Sequence, residues 1–317
     1  QPLFNEIKQQ PLTSLDQYTR RLLVFSLKTF SNLEMSNEVG EVGNLLVSAA
    51  EDSPLINSTS IEYLRIAKAE YVRESKRTAE EMAAAVLKGE EGLINNAKAA
   101  QTIVREKHHE LLAKLSARKQ YDVAGLLYLA DAAIEAELPE KARDQFQAII
   151  DRAAADPAFA KLAAKAMTRV RAQLIGLLRA EKSYVEALKQ VEALLKDQPN
   201  ALEPLIEKGN ILQALAETDP KRYDEAVKWW TGIRLKLQNS TGKKPPAYYE
   251  VIYNCAVCLA AQKQPEKNAQ ATQLLKATMA LSPTLDSPDR VEKYKSLLDQ
   301  LPAAKVAPAK ATPKAKP

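Results

Sequence analysis

Histidine and cysteine are scarce, with two of each in 317 residues, and glycine (9) and aromatic residues (6%) are thin. Two cysteines make no disulfide framework. That leans towards a reducing compartment, although exported bacterial proteins often lack disulfides as well, so cytoplasm and envelope both stay open. The β-branched and aromatic runs that strands require are sparse. The longest uncharged run, Val251 to Gln262, falls far short of the roughly 18 to 20 apolar residues of a spanning helix, so no transmembrane segment is expected. There is no Gly-rich phosphate loop, nucleophile elbow, HExxH or acidic metal motif, so we expect no enzyme, no cofactor and no metal. QPLFNEIKQQPL lacks the basic start and apolar middle of a signal peptide. The start at Gln1 rather than Met leads us to expect that an original N-terminus has been removed.

What is present is helical. Ala, Leu, Lys, Glu and Gln dominate, all strong helix formers, and they predict an all-α protein. The net charge of +5 is local: Lys305, Lys310, Lys314 and Lys316 carry four of those five charges, and no acid follows Leu301. The remaining body is nearly neutral and shows no basic stripe, so nucleic acid is not the expected partner. The PAAKVAPAKATPKAKP tail, residues 302–317, cannot bury enough apolar surface to offset chain entropy and is expected to be disordered.

Residues 1–12 read as an irregular lead-in, and 13–120 as a helical cap or divergent helical repeats. SLDQ at Ser14 to Gln17 has capping-box form. Leu15, Tyr18, Leu22, Phe25 and Leu33 then supply the apolar face of a first helix, and Val39, Val42, Leu46 and Ala49 that of a second. Asp52 to Ser60 reads as a loop, with Thr59 and Glu62 capping a third helix that continues to Lys88. Gly89 and Gly92 mark its stop. A fourth helix over Leu93 to Arg118, with Ile94, Ala97, Gln101, Val104, Leu111 and Leu115 near one face, completes an antiparallel hairpin.

Ser183 to Asn200, SYVEALKQVEALLKDQPN, places Ala187, Val191 and Leu194 on one helical face ahead of Pro199. Leu138 to Ile150, Tyr223 to Leu235 and Ala271 to Pro283 restate that profile. Each follows a helix of matching pattern: Leu126, Leu129, Ala130 and Ala133; Leu174 and Leu178; Leu205, Gly209 and Leu212; Ile252, Cys255, Ala256 and Leu259. Over residues 123–283 the chain therefore resembles the tetratricopeptide (TPR) repeat family, with units of about 34 residues and two helices, A and B. It departs from the family at Arg171 and Ile175, at a late Pro157, and in a lengthened turn around Ala216 to Arg222. The resemblance implies a right-handed α-solenoid over 121–301, closed by an amphipathic helix from Ser287 to Leu301 bearing Val291, Tyr294, Leu297, Leu298 and Leu301. A two-helix unit cannot bury its own apolar face, and stacking supplies the missing partner.

Cys255 and Cys258 form CAVC. They lie mid-helix, one of them at a packing position, which favours packing over redox or zinc chemistry. Trp230 fits the large core position of a B helix, and we expect Trp229 to bury against the next unit. Arg73, Lys76 and Arg77, together with Lys107, His108 and His109, read as solvated helix faces. Lys243 and Lys244 suit an exposed loop. In the TPR family the A helices line a concave groove. The resemblance places Leu127, Asp131, Ile134, Arg169, Ala172, Arg179, Glu203, Ile206, Asn210, Gln213, Tyr253 and Val257 there, and implies a noncatalytic interaction scaffold that takes an extended peptide or partner helix. An alternative is attachment of the lysine tail to an anionic polymer, nucleic acid or envelope polysaccharide, with steep salt dependence. The partner's identity and the oligomeric state are not written in the sequence.

Overall fold

The computed structural model describes residues 17–33, 35–48, 53–238 and 244–302. Among them are fourteen α-helices, one 3₁₀ turn and no strand. Ser14, Leu15, Ala49, Gly242, Lys243 and the tail lysines lie outside the described residues. The chain divides into two compact units between Leu174 and Ile175, inside one helix.

In the first unit, α1 (Gln17–Asn32) packs on α2 (Ser36–Ser48) through Leu23, Leu27 and Phe30 against Val39, Val42 and Leu46. The face predicted for α2 is the buried one. The face predicted for α1 is wrong: Tyr18, Phe25 and Leu33 are exposed. Apolar residues at helical spacing occupy two faces of α1, and only the partner helix decides which is buried.

Helix α3 (Pro54–Lys88) starts earlier than the turn chemistry suggested. Ser53 caps it, its hydroxyl accepting from the Ile56 amide, and Pro54 sits at the first helical position where its missing N–H costs nothing. From Pro54 onward the predicted loop is therefore helix, and Thr59 is a buried helical residue rather than a cap. Asn57, Thr59 and Ser60 are all buried. Arg118 meets two of them, donating to Asn57 Oδ1 at 3.2 Å and to Ser60 Oγ at 3.1 Å. Its other nitrogen donates to the carbonyls of Leu46 (2.7 Å) and Val47 (3.1 Å), which close the end of α2.

Gly89 ends α3 at φ +69°, and α4 (Glu91–Ser116) returns antiparallel to it. Arg118 meeting Asn57, and His108 stacking on Tyr71, define the pairing. The inward face of α4 includes Ala97, His108, Leu112 and Leu115, whereas Gln101, expected there, is exposed.

Four helix pairs follow: α5 (Val123–Glu135) with α6 (Pro139–Ala155), α8 (Met167–Ala180) with α9 (Tyr184–Asp197), α10 (Leu202–Thr218) with α11 (Tyr223–Gln238), and α12 (Pro246–Ala261) with α13 (Pro265–Leu281). A short α7 (Pro157–Ala163) separates the first two pairs. It is capped by Asp156 and started, not preceded, by the late Pro157. The lengthened third turn is a 3₁₀ segment, Pro220–Arg222, capped by Asp219. Helix α14 (Pro288–Gln300) closes the second unit, with Tyr294 and Leu297 buried and the Tyr294 hydroxyl donating to the Tyr249 carbonyl at 2.7 Å.

The four trailing helices repeat one packing rule. Ala142, Ala187, Ala226 and Ala271 are fully buried, and so are Phe146, Val191, Trp230 and Leu275 four residues later. The first, second and fourth pairs also share a turn. Glu137, Lys182 and Lys263 adopt positive φ (57°, 60° and 54°), and each amide donates to the carbonyl three residues back at 3.0 Å. In the first two, the next amide reaches five residues back, from Leu138 to Ala133 and from Ser183 to Leu178, both at 2.8 Å, which is a Schellman termination.

Candidate partner-binding surface

The leading helices α5, α8, α10 and α12 each turn one stripe inward and leave another to solvent. None of the twelve residues assigned to the groove is buried. Ile134, Arg169, Ala172, Arg179 and Glu203 are exposed, while Leu127, Asp131, Ile206, Asn210, Gln213, Tyr253 and Val257 are half-buried. Helical geometry explains this: Ile206 and Asn210 are each one residue from Leu205 and Gly209, about 100° round the helix from the inward stripe.

Several of these side chains bridge neighbouring leading helices. In the first unit Arg169 of α8 donates to Asp131 of α5 at 2.6 Å, joining two assigned residues. In the second unit Arg179 donates to both carboxylate oxygens of Glu207 on α10, at 2.8 and 2.9 Å. Glu207 was not assigned to the surface, although it lies one turn after Glu203. Gln213 Oε1 on α10 accepts from the Cys258 thiol on α12 at 3.5 Å. Tyr253 stacks with Tyr294 of α14, their centroids 5.9 Å apart. Two of the arginines are thus already neutralised by carboxylates. Surface left for a partner is largely apolar and amide in character: Leu127 and Ile134 in one unit, Ile206, Asn210, Tyr253 and Val257 in the other.

The remaining sequence candidates resolve as follows. Burial pushes the Cys258 thiol up to about 12, with Cys255 beside it adding to the effect, and burial also raises Cys255. Neither is a thiolate nucleophile near neutral pH. Among the described residues no group of three or more His, Cys, Asp or Glu side chains could hold a metal ion. Trp230 is fully buried against α10: a Cβ on Gly209 would lie 2.5 Å from its ring. Trp229 does not bury against the next pair as expected. Its indole N–H donates to the Leu205 carbonyl at 2.8 Å on the helix that precedes its own, and the Lys208 ammonium sits 4.5 Å over its ring. Arg77 pairs with Glu74 and Glu81 along α3, a solvated face as anticipated. Lys244 is half-buried, donating to the Gln238 carbonyl at 2.6 Å.

His108 breaks its predicted pattern. It is not on a solvated face but 7% exposed, stacked on Tyr71 with centroids 4.8 Å apart and planes 16° apart. No helix among the described residues is long and apolar enough to cross a membrane. No protein-family profile matches the chain, and no curated protein matches it.

Proposed function

We propose that this all-α protein is a noncatalytic interaction scaffold of the TPR type, taking an extended peptide or a partner helix against its leading helices. One observation carries this reading. Within each unit the leading-helix side chains assigned to this surface stay unburied while the residues beside them are packed away, and neighbouring leading helices are joined through them. The repeated alanine-to-large spacing and the shared left-handed turn support a repeat array. Because Arg169 and Arg179 are spoken for by Asp131 and Glu207, the surface holds no concentrated basic clamp for a carboxylate terminus. Its ligand is recognised by apolar contacts and by amide hydrogen bonds from Asn210 and Gln213.

The test is selection of peptides from a display library on the full chain, followed by titration against wild type, Arg179→Glu and Asn210→Ala. We expect both substitutions to weaken the selected peptides by about tenfold, Asn210→Ala with unchanged melting behaviour and Arg179→Glu with a lowered midpoint, because it sets a second carboxylate against Glu207 in place of their ion pair. If every selected peptide binds both variants as tightly as wild type, recognition lies elsewhere.

A further inference from the structure

Beyond its role as a scaffold, the protein holds a cavity of about 270 Å³ inside the second unit, between α10 and α11. Buried Leu205 and Leu212 of α10 and Ile233 of α11 give it an apolar floor, and half-buried Trp229 forms a wall. Because the Trp229 indole N–H is already given to the Leu205 carbonyl, its ring offers an incoming molecule apolar surface. A dry cavity of about 150 Å³ is enough to hold benzene, so this one has room for a single ring with a short chain.

Gly232 is the distinctive residue. It lies inside α11, where glycine weakens a helix, yet no packing asks for it: a Cβ there would meet nothing within 4 Å. The space a side chain would occupy is left to the cavity that Gly232 lines. Lys228 and Lys236 stand one turn before and one turn after it on the same face, each about 6 Å away along the axis. Both are exposed, and neither meets a carboxylate among the described residues; Lys236 reaches Asn200 Oδ1 at 3.4 Å. Lys208, on α10, is by contrast answered by Glu192 at 2.7 Å and lies over the Trp229 ring. Glu225 brings a carboxylate to the lining, about 10 Å along α11 from Gly232. An anion set over Gly232 therefore meets two uncompensated positive charges, while an apolar body attached to it rests on the leucines and the indole.

We propose that this cavity binds a small monocarboxylate with a single-ring apolar body, the ring against Trp229 and the carboxylate over Gly232 between Lys228 and Lys236.

The probe is phenylpropionate, a benzene ring on a short chain ending in carboxylate, titrated at low salt into the full chain isotope-labelled at its indole nitrogens. The sequence has two tryptophans, so the spectrum has two indole N–H signals, assigned with Trp229→Phe. The Trp229 signal should shift saturably at millimolar probe. Phenylpropionamide, the same shape without the charge, should bind about fivefold more weakly, since each exposed charge pair contributes little. Acetate, which lacks the ring, should leave Trp229 unshifted. Substituting Lys228→Met and Lys236→Met together should bring the acid down to the affinity of the amide. Gly232→Leu, which fills the cavity from an open position, should melt no lower than wild type and lose both ligands. The proposal is overturned by absence of a saturable Trp229 shift, by equal affinity for acid and amide, by an equal response to acetate, or by undiminished binding to Gly232→Leu. The comparison of acid with amide on wild type decides the matter even if a variant fails to fold.

Discussion

The hairpin side of the first unit and the helix pairs of the second solve the same packing problem by different chemistry. In the second unit an apolar cluster that includes Trp230, Tyr249, Val251, Ile252 and Leu275 sets small residues opposite large ones. Its buried polar side chains, Asn268 and Thr278, lie on α13. In the first unit Asn57, Thr59, Ser60, Thr78 and His108 are buried along α3 and α4. Where apolar shape complementarity sets the register, losing volume is the main risk. Where polar groups set it, losing a hydrogen-bond partner is.

The largest expected effect comes from removing volume. Trp230→Ala should destabilise the second unit by about 3 to 5 kcal/mol, because the indole fills the space that Gly209 leaves and the helices cannot fully collapse onto it. Chemical denaturation with a fluorescence-independent readout, such as far-ultraviolet dichroism, checks this. A loss of well under 1 kcal/mol would mean the packing is not complementary. Next comes Arg118→Met, which keeps the stem but removes donors from Asn57, Ser60 and the two carbonyls ending α2. About 2 to 3 kcal/mol should be lost, since hydrogen bonds to a charged group are involved and buried acceptors are left unmet. If Trp230→Ala were mild and Arg118→Met severe, the contrast between the two regions would have to be reversed.

The second unit was far more legible in the sequence than the first, and the reason is the range over which each is specified. Ala187, Val191 and Leu194 announce their burial through spacing within a single helix. By contrast, Asn57, Thr59 and Ser60 look like loop residues until Arg118, about sixty positions away, is seen to satisfy two of them. Leu23, Leu27 and Phe30 compete with Tyr18, Leu22 and Phe25 on α1, and no local rule separates the two faces. His108 sits in a run of charge, and only Tyr71 on the facing helix reveals it as interior. On the candidate surface, Arg179 was legible as a leading-helix residue, whereas its partner Glu207 is fixed by the next pair. Arg171 and Ile175, where the repeat pattern lapses, fall beside the point at which the two units divide.

Overpacking tests the repeat rule from the other side. Ala187 is fully buried on α9, so Ala187→Leu should cost about 1 to 3 kcal/mol. Val185, exposed on the same helix, provides the control: Val185→Leu should leave the midpoint of urea unfolding where it is. Equal behaviour of the two variants would mean that the alanine spacing is not what sets the fit.

The smallest effect is electrostatic and confined to the hairpin. Burial lowers the His108 pKa below its ordinary 6.5, helped by His109 and Lys68 and opposed by Glu135. Tyr71 covers one face of the ring, and Glu70, Arg73 and Lys107 share its cavity. Because the folded state holds the proton less tightly than the unfolded chain, the unfolded state binds more protons once the pH drops below about 6.5. The stability that neutral His108 allows is therefore complete above that pH and drains away as the pH falls towards the lowered folded value. The comparison is with His108→Leu, which keeps every carboxylate and removes only the imidazole. Urea unfolding at about pH 7.5 and pH 5.5 should show a greater loss for wild type than for the variant. Parallel losses in the two proteins would mean that His108 takes up its proton inside the folded hairpin as readily as it does in the unfolded chain.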